Sequence, residues 1–529
     1  MNSENFPLSK GIIEGALFSL SDKSGAELLA QALHDRGVVI YATGGTRRFL
    51  CDHGIPARDV EDITGFPSLF GGRVKTLHPK VFGAILYDRE SSEHRAQMEQ
   101  YAIPTISTVV VNLYPFEATV AREDVTLSEA IEQIDIGGVS LLRAAAKNFA
   151  HVAVLTHPSQ YDAFLHATPE NAFDLRRRWA IAAFERTAEY DVAISHYLAA
   201  DGQVLPSELP GALALTLPLA QRLRYGTNPQ ERAAFYLARA DHLPEQLHGK
   251  ALSYNNLLDM DATLRLLSRS ALGAEFGSEH ERFVRAAVVK HTVPCGVAQR
   301  STVGKAIVDA LDADAVSAYG GVVATDAVID RDAAEKLSKF FLEIVAAPGF
   351  DADALEILKK KKNLRVMRFG QGLPDQLARE LRVRSALGGV LAEDDDPQAS
   401  PETWRVVSKR GPTQQEWHDL AFAWDVVRHV KSNGIVIVSG GTTRGIGAGQ
   451  TNRVSAVQIA PHRAGAHARG AACASDGFFP FADGLEAAAA SGCTAIIAPG
   501  GSVRDAEVIA AADRLGVTLV FSSYRYFLH

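Results

Sequence analysis

Short β-branched runs alternate with stretches of helical period over the first third of the chain. Leu17–Leu20, Val38–Ala42, Thr108–Val111 and Val152–Leu155 read as strands, and Ala26–His34 has the apolar spacing of a helix. This alternation predicts βαβ units, a parallel sheet covered by helices, with ligands outside the carboxyl ends of the strands. From about Phe173 to Leu198 the period is that of one helix, with Trp179, Ile181, Ala182, Phe184, Tyr190 and Ile194 as its apolar positions. Asp-Gly and a proline-containing stretch from Leu205 to Pro218 follow, which places a domain boundary near Ala200. Beyond Arg222 strands return at Ala287–Val289, Ile435–Val438, Thr494–Ile497 and Thr518–Phe521, mixed with helices and long enough for two further domains. A split falls near Asn363 to Val383, after Lys359–Lys362, four lysines that read as a solvated helix end. No fixed-period repeat is visible, but Ala315–Ala324 and Ala474–Phe481 faintly echo each other as small-residue turns joined to aromatics.

At about 150 residues per domain, the 529 residues suggest three or four domains. A net charge of -8 gives no general pull toward nucleic acid or anionic membranes, so small-molecule chemistry is the expectation. The opening Met-Asn-Ser-Glu-Asn-Phe-Pro has no basic or apolar signal region, and no segment approaches the roughly 18 apolar residues of a spanning helix. A cytoplasmic protein is expected. Cys51, Cys295, Cys473 and Cys493 form no CxxC pair and read as reduced, mostly buried thiols.

Candidate chemistry gathers at the strand ends. Ser19, Ser21, Lys23 and Ser24 lie where the first strand meets a helix start, and Thr43-Gly-Gly-Thr46 repeats this anion-friendly pattern after the second strand. Single hydroxyls there could equally be N-caps. Gly71-Gly-Arg-Val-Lys-Thr-Leu-His-Pro79 reads as a functional loop carrying Arg73, Lys75 and Thr76, although Lys75 alone would pass for a surface lysine and His78 reads as structural. Asn112-Leu-Tyr-Pro-Phe116 ends another strand, and Glu132–Asn148 presents Asp135, Gly137-Gly138 and a helix with Arg143 and Lys147. Asp135 is either an N-cap or a ligand group beside a backbone that a ligand can approach closely.

In the second part, Arg224-Tyr-Gly-Thr-Asn-Pro-Gln230 alone would pass as a polar loop. Val288-Val-Lys-His-Thr-Val-Pro-Cys-Gly296 delivers Lys290 and His291 from an apolar strand, a placement that packing explains poorly. Its Pro-Cys-Gly invites comparison with zinc deaminases, but Cys295 has no second cysteine three residues on and no His-x-Glu precedes it. Lys431-Ser-Asn433 with Arg444–Gln450 and Arg453 reads as a hairpin with a glycine-rich return strand. Ser475–Phe481 with Asp483 offers aromatics to a flat heterocycle, Phe479 and Phe481 being at least as suited to the core, and Arg525 near the last residue could meet a phosphate.

SDKSG, TGGT, GGRVKTLHP, NLYPF and EQIDIGGVSLLRAAAKN, in this order, resemble the bifunctional purine biosynthesis family, in which phosphoribosylaminoimidazolecarboxamide formyltransferase is fused to IMP cyclohydrolase. The resemblance covers nearly the whole chain. It implies a methylglyoxal-synthase-like open parallel sheet domain over 1–150, a helical connection over 151–200, and two cytidine-deaminase-like α/β domains without zinc over 201–370 and 371–529. It implies formyl transfer from 10-formyltetrahydrofolate to the aminoimidazole carboxamide ribotide, then closure to IMP, in a homodimer. Substrate contacts are implied at Ser19, Ser21, Lys23, Thr43, Gly45, Thr46, Arg73, Thr76, Asn112, Gly137 and Gly138, and at Arg224, Tyr225, Asn256, Gly320, Arg453, Phe478, Arg525 and His529. Lys75, Tyr114, Asp135 and Lys147 are the implied groups for closure, and Lys290, His291, Asn433 and Asp483 those for transfer. Val293, Asn452 and Ala315-Val316 depart from the family pattern, where Asn, Ser and a Pro-containing pair are usual; none removes an ionisable group. A lyase-like or regulatory phosphate-binding module, a non-catalytic nucleotide sensor and a zinc deaminase are the competing readings, and the first leaves KHTVPCG and GIGAGQ unexplained.

Overall fold

The computed structural model describes residues 14–199 apart from 123, then 209, 211–268 apart from 238, 240 and 241, 283–394 and 404–529. Ala200 and part of the stretch Leu205 to Pro218 lie outside the described residues. The chain divides into two compact units, Met1–Thr216 and Leu217–His529.

The first unit is built on β1 (Gly15–Leu20), β2 (Val39–Ala42), β3 (Arg58–Asp59), β4 (Thr108–Asn112) and β5 (Ala153–Leu155). All pairings are parallel, in the order β3-β2-β1-β4-β5. Parallel strands buried on both faces are nearly continuous apolar runs, as β1 and β4 are, because helices cover both sides. The chain winds outward from β1 to β2 and β3, then crosses back to β4 on the other side of β1 and outward to β5, so a crevice opens between the carboxyl ends of β1 and β4. The long helix Pro169–Ala199 packs on the helix Gly137–Lys147 and on β5, burying Trp179, Ala183 and Tyr190 in the same core as Leu17, Val110 and Leu142.

The second unit begins with the antiparallel ribbon of β6 (Leu219–Leu223) and β7 (Ala233–Tyr236). Its first large sheet holds β8 (Glu245–His248), β9 (Val284–Lys290), β10 (Val293–Arg300), β11 (Val322–Thr325), β12 (Ile344–Ala347) and β13 (Arg365–Arg368), ordered β10-β9-β11-β12-β13-β8. A hairpin of β14 (Arg382–Ala386) and β15 (Gly389–Glu393) follows. The second large sheet holds β16 (Arg405–Val406), β17 (Ile435–Val438), β18 (Thr443–Gly447), β19 (Ala472–Ser475), β20 (Ala495–Pro499) and β21 (Thr518–Ser522), ordered β18-β17-β19-β20-β21-β16.

The two sheets are topological copies. In each an antiparallel hairpin borders three parallel strands, and the strand that opens the half closes the far edge antiparallel. The matching sequence is Val-Val-Ala-Thr-Asp326 against Ala-Cys-Ala-Ser-Asp476, and Ala-Ala-Pro-Gly349 against Ile-Ala-Pro-Gly500. The echo between Ala315–Ala324 and Ala474–Phe481 therefore joined unlike places, because Ala315–Ala318 is a helical turn before β11 whereas Ala474 ends β19.

Strand alternation sends Ala287, Val289, Ile344 and Met367 from one sheet, with Val436, Val438, Ile497 and Val520 from the other, into one shared core with the helices Tyr254–Arg265 and Gln414–Val427. Val288, Val323 and Val345 face the helices on the outside of the first sheet; Ile437, Ile496 and Leu519 do the same on the second. At the start of Gln414–Val427, Glu416 accepts from Arg410 at 2.8 and 3.0 Å, from Thr494 at 2.6 Å and from the Thr413 N–H at 2.9 Å. Burial opposes ionisation of this carboxyl, but these donors outweigh it and hold it at about 2, below the ordinary 4.5. Its stabilising contribution is thus full above the ordinary carboxyl value and lost as pH falls through the depressed one. Glu416→Gln should lower the unfolding free energy by about 2 kcal/mol at neutral pH, allowing for screening at the partly exposed Arg410. Urea titrations at stepped pH should show this deficit shrink on acidification from 4.5 toward about 2.

Candidate functional site

In the first unit, residues from four strand ends and two loops meet around the β1/β4 crevice. Asn112, the last residue of β4, accepts the N–H groups of Ser21 at 2.6 Å and Asp22 at 3.0 Å and returns its amide to the Asp22 carbonyl at 2.6 Å. It thus pins the loop after β1, where the Lys23 ammonium donates to the Ser21 carbonyl at 3.2 Å. The Ser19 and Thr43 hydroxyls, at the ends of β1 and β2, are 3.2 Å apart. Thr43 is also the N-cap residue of the helix Gly44–Asp52, so the free N–H groups of Gly44 and Gly45 open beside it. The Thr46 hydroxyl is buried, accepting from the Leu20 N–H at 2.9 Å and donating to the Leu20 carbonyl. It braces β1 and has little left for a ligand.

The loop from Gly71 brings Lys75 to the same place: its ammonium lies 3.2 Å from where a Cβ on Gly44 would stand, and 3.8 Å from Asp59. Thr76 is buried, its hydroxyl 2.7 Å from the Cβ position of Gly137. Arg73 instead pairs with Glu132 on the exposed side. His78 caps the helix Pro79–Leu86 by accepting the Lys80 N–H at 3.2 Å, the structural role expected of it.

Asp135 stands before the helix Gly137–Lys147 and accepts the Gly138 N–H at 2.6 Å. A Cβ on Gly138 would overlap its carboxylate, so glycine is required by this close approach. Burial raises the Asp135 pKa above 3.8, against the lowering effect of the Gly138 and Tyr114 N–H groups. Its own N–H donates to the Tyr190 hydroxyl at 2.9 Å, which donates on to the Gln133 carbonyl at 2.8 Å. Sequence reading took Tyr190 for an apolar helix position; only its phenol end, invisible in a helical period, carries this role. The Tyr114 side chain is half exposed, while its backbone N–H serves Asp135. Lys147 sits in the last turn of the same helix, about 15 Å along the axis from Gly137. That exceeds the reach of a lysine side chain, so the fold does not bring Lys147 to Asp135 within this chain.

In the second unit the expected residues fall into two groups. Lys290 ends β9 and donates to the Tyr319 carbonyl at 2.7 Å, just before Gly320 at φ 75°. His291 is exposed, and it forms with Thr292 the two-residue turn into β10. Sequence reading found the strand end but not the hairpin. Arg224 stacks over Tyr225 at 5.4 Å, and the Thr227 carbonyl of their loop accepts from Asn255 at 3.2 Å. Asn256 is buried as the capping partner of Ser253, so its carbonyl end is engaged in holding the helix Tyr254–Arg265.

The second group surrounds Arg453. This buried guanidinium donates to Ser475 at 2.8 Å and to Asp476 at 2.5 Å, and the other Asp476 oxygen accepts from Ser432 at 2.6 Å. Asn433 follows, donating its amide to the Gln450 carbonyl at 2.8 Å. The C-terminal segment lies along these residues: the Tyr526 N–H donates to the Asp476 carbonyl at 2.8 Å, and Ser432 and Leu528 exchange two bonds. Arg525 stacks on Phe527 at 4.8 Å, whose ring touches the Cβ position of Gly477. His529 and Phe478 are exposed there, and Asp483 opens the helix Ala482–Ala490 with its carboxylate on the Gly484 N–H at 2.7 Å. Asp476 lies in the segment Ser475–Phe481, where the sequence points to Asp483 instead; its pairing with Arg453, at the start of the helix Arg453–Ala464, leaves no trace in local spacing. The antiparallel bridge Ala298↔Thr442 joins β10 to the segment entering β18, so Lys290–Val293 and Gly447–Gln450 extend toward the same end of that seam.

Cys295 is buried, which with Asp314 nearby pushes its thiol up to about 12, a poor state for metal ligation or nucleophilic attack. Among the described residues no group of three or more His, Cys, Asp or Glu side chains is placed to hold a metal, and no helix is long and apolar enough to cross a membrane.

Residues 145–463 match the AICARFT/IMPCHase bienzyme family, and residues 25–140 an MGS-like domain. Among curated relatives, a protein of Prochlorococcus marinus is 49% identical over 97% of this chain and 99% of its own length. One from Synechococcus is 48% identical and one from Desulfitobacterium hafniense 46%, each with the same coverage. All three are called bifunctional purine biosynthesis protein PurH. The chain belongs to the AICARFT/IMPCHase bienzyme family, formylating aminoimidazole carboxamide ribotide from 10-formyltetrahydrofolate and closing the product to IMP.

Proposed function

We propose that the two reactions divide between the two units, closure at the β1/β4 crevice of the first and transfer at the hairpin end of the second. In the first, Ser19, Ser21, Lys23, Thr43 and the N–H groups at Gly45 hold the phosphate and ribose. Asn112, Gly137 and Gly138 line the base, and Thr46 and Thr76 brace the walls. The observation that carries this reading is Asp135, a carboxyl kept from ready ionisation by burial and set between Tyr114 and the glycine pair. Closure forms a bond from the carboxamide nitrogen to the formyl carbon, and the formyl oxygen leaves as water. Asp135 takes one proton from the carboxamide nitrogen, the formamide N–H yields the second as the ring C=N forms, and Lys75 and Tyr114 polarise the oxygen and relay both protons to it as it departs. Holding the substrate folded supplies up to about 7–11 kcal/mol of the barrier.

In the second unit, the arylamine of the ribotide is a weak nucleophile because its lone pair is delocalised. His291 accepts its proton as the tetrahedral intermediate forms and gives it to the folate nitrogen as the formyl carbon–N10 bond breaks, and Lys290, anchored by one bond to Tyr319, offers its remaining N–H groups to the formyl oxygen. Arg453 and Arg525 attract the anionic substrates; Arg224, Tyr225, Asn256, Gly320, Phe478 and His529 shape the pocket. Asn433 and Asp483 assist the transfer. We further propose a cytoplasmic homodimer in which the two groups of transfer residues serve shared sites. Mixing His291→Ala with Asn433→Ala chains would then restore transfer, whereas mixtures as inactive as either parent would place each site within one chain.

His291→Ala should lower formyl transfer by about 10²–10⁴-fold while leaving closure of the preformed formyl ribotide unchanged. Lys75→Ala should do the reverse. Assay of both steps with both variants checks the division, and equal loss in both steps by folded variants would refute it. Because burial raises the Asp135 pKa above 3.8, its base form is lost at higher pH than for an exposed aspartate. The closure rate should therefore fall on acidification through a midpoint above 3.8. Asp135→Asn should remove that limb along with most of the rate, as read from closure rates across pH.

A further inference from the structure

The two hairpins that border the large sheets of the second unit turn through the same backbone conformation with opposite side-chain chemistry. β17 passes to β18 through Gly440 and Gly441, at φ 59° and 66°, and β9 passes to β10 through His291 and Thr292, at φ 56° and 59°. Glycine enters this left-handed region freely; histidine does so at a cost, and a β-branched threonine at a larger one. Each half also sends a helix across the inner face of its sheet, and in both helices the sixth residue past the capping Ser or Thr is an aspartate: Asp259 after Ser253 and Asp419 after Thr413. Asp419 accepts the N–H groups of Gly440 at 2.9 Å and Gly441 at 2.8 Å. Asp259 accepts the N–H of Thr292 at 2.7 Å.

We infer that Asp259 is a positioning residue for formyl transfer, holding the His291–Thr292 turn in its left-handed conformation so that the imidazole stands at the reacting amine. The inference rests on the assignment of transfer to Lys290 and His291. The duplicated fold supplies its own comparison. Where the turn carries no side chains, Gly440-Gly441 accepts the conformation unaided and the aspartate merely completes its N–H groups. Where the turn must present an imidazole, glycine is not available, and the carboxylate bond to Thr292 offsets the strain of two side-chain-bearing residues at positive φ. The same helix ties the Arg224–Tyr225 loop through Asn255, so one rigid element sets His291 relative to the substrate loop. Strain held in place at a reacting group is the arrangement expected where geometry must be kept to a fraction of an ångström.

Asp259→Ala should lower kcat for transfer about ten- to a hundredfold, with KM for the ribotide changed less than about threefold and with closure by the first unit unaltered. Thr292→Gly, which removes the larger part of the strain, should be nearly silent alone and should restore most of the transfer rate when added to Asp259→Ala. A general loss of folding in the second unit would not be rescued this way. Asp259→Ala with wild-type transfer, or a loss that Thr292→Gly does not recover, overturns the inference. His291→Ala, assayed alongside, separates it from the reading beneath it. If that variant still transfers, the assignment of His291 falls; if it is dead while Asp259→Ala is active, the positioning role alone falls.

Discussion

The second unit depends on burying two helices between two sheets. The helix Gln414–Val427 is buried along nearly its whole length, and it shares one core with Tyr254–Arg265 and the inner faces of both sheets. A helix enclosed in this way must be apolar on several sides, so the few polar groups it carries must find partners inside. Its three buried carboxylates do: Glu416 meets Arg410 and Thr494, Asp419 meets the Gly440-Gly441 turn, and Asp425 meets the equally buried Arg285 at 2.6 Å. A buried ion pair adds little net stability, but separating its partners is costly, so Arg285 and Asp425 keep the halves in one register.

That constraint reaches the chemistry through the strand ends. With each helix fixed on its sheet, the residue six positions past the cap falls at the hairpin, and the turn is held from beneath. The parallel strands then end together on one edge, where β19 delivers Ser475 and Asp476 to Arg453. The first unit reaches a similar result by another route, since its order reverses at β1 and the carboxyl ends of β1 and β4 part to leave a crevice. Asn112, Thr46 and Tyr190 spend their polar groups there on the backbone, which leaves Asp135, Lys75 and Tyr114 in defined positions.

Much of this was legible before any coordinates. The runs at Ala26–His34 and Ile435–Val438 are the observed elements residue for residue, because strands covered on both faces and amphipathic helices carry strong periods. The ordered motifs identified the family because each is long. The glycine-rich return strand β18 was read as such, whereas β10, with Pro294 and Gly296 inside it, is irregular in pattern and escaped notice as a strand. The duplication showed only as an echo between the wrong segments: it lies in strand order and survives in sequence as Val-Val-Ala-Thr-Asp326 and Ala-Ala-Pro-Gly349 with their counterparts at Asp476 and Gly500.

By itself the sequence determined what kinds of groups are present and at which strand ends they emerge, since apolar periodicity and motif order are local properties. It determined too that an acidic protein must capture anionic ribotides with local clusters rather than a general positive field. The tertiary structure decided which of those groups meet. It set Lys147 a helix length from Asp135, engaged Thr46 and Asn256 in bracing, and brought Asp476 to Arg453 and Asp259 to Thr292. The pairings of Thr46, Asp476 and Asp259 join residues more than twenty positions apart, and contact at such a distance has no signature in local spacing.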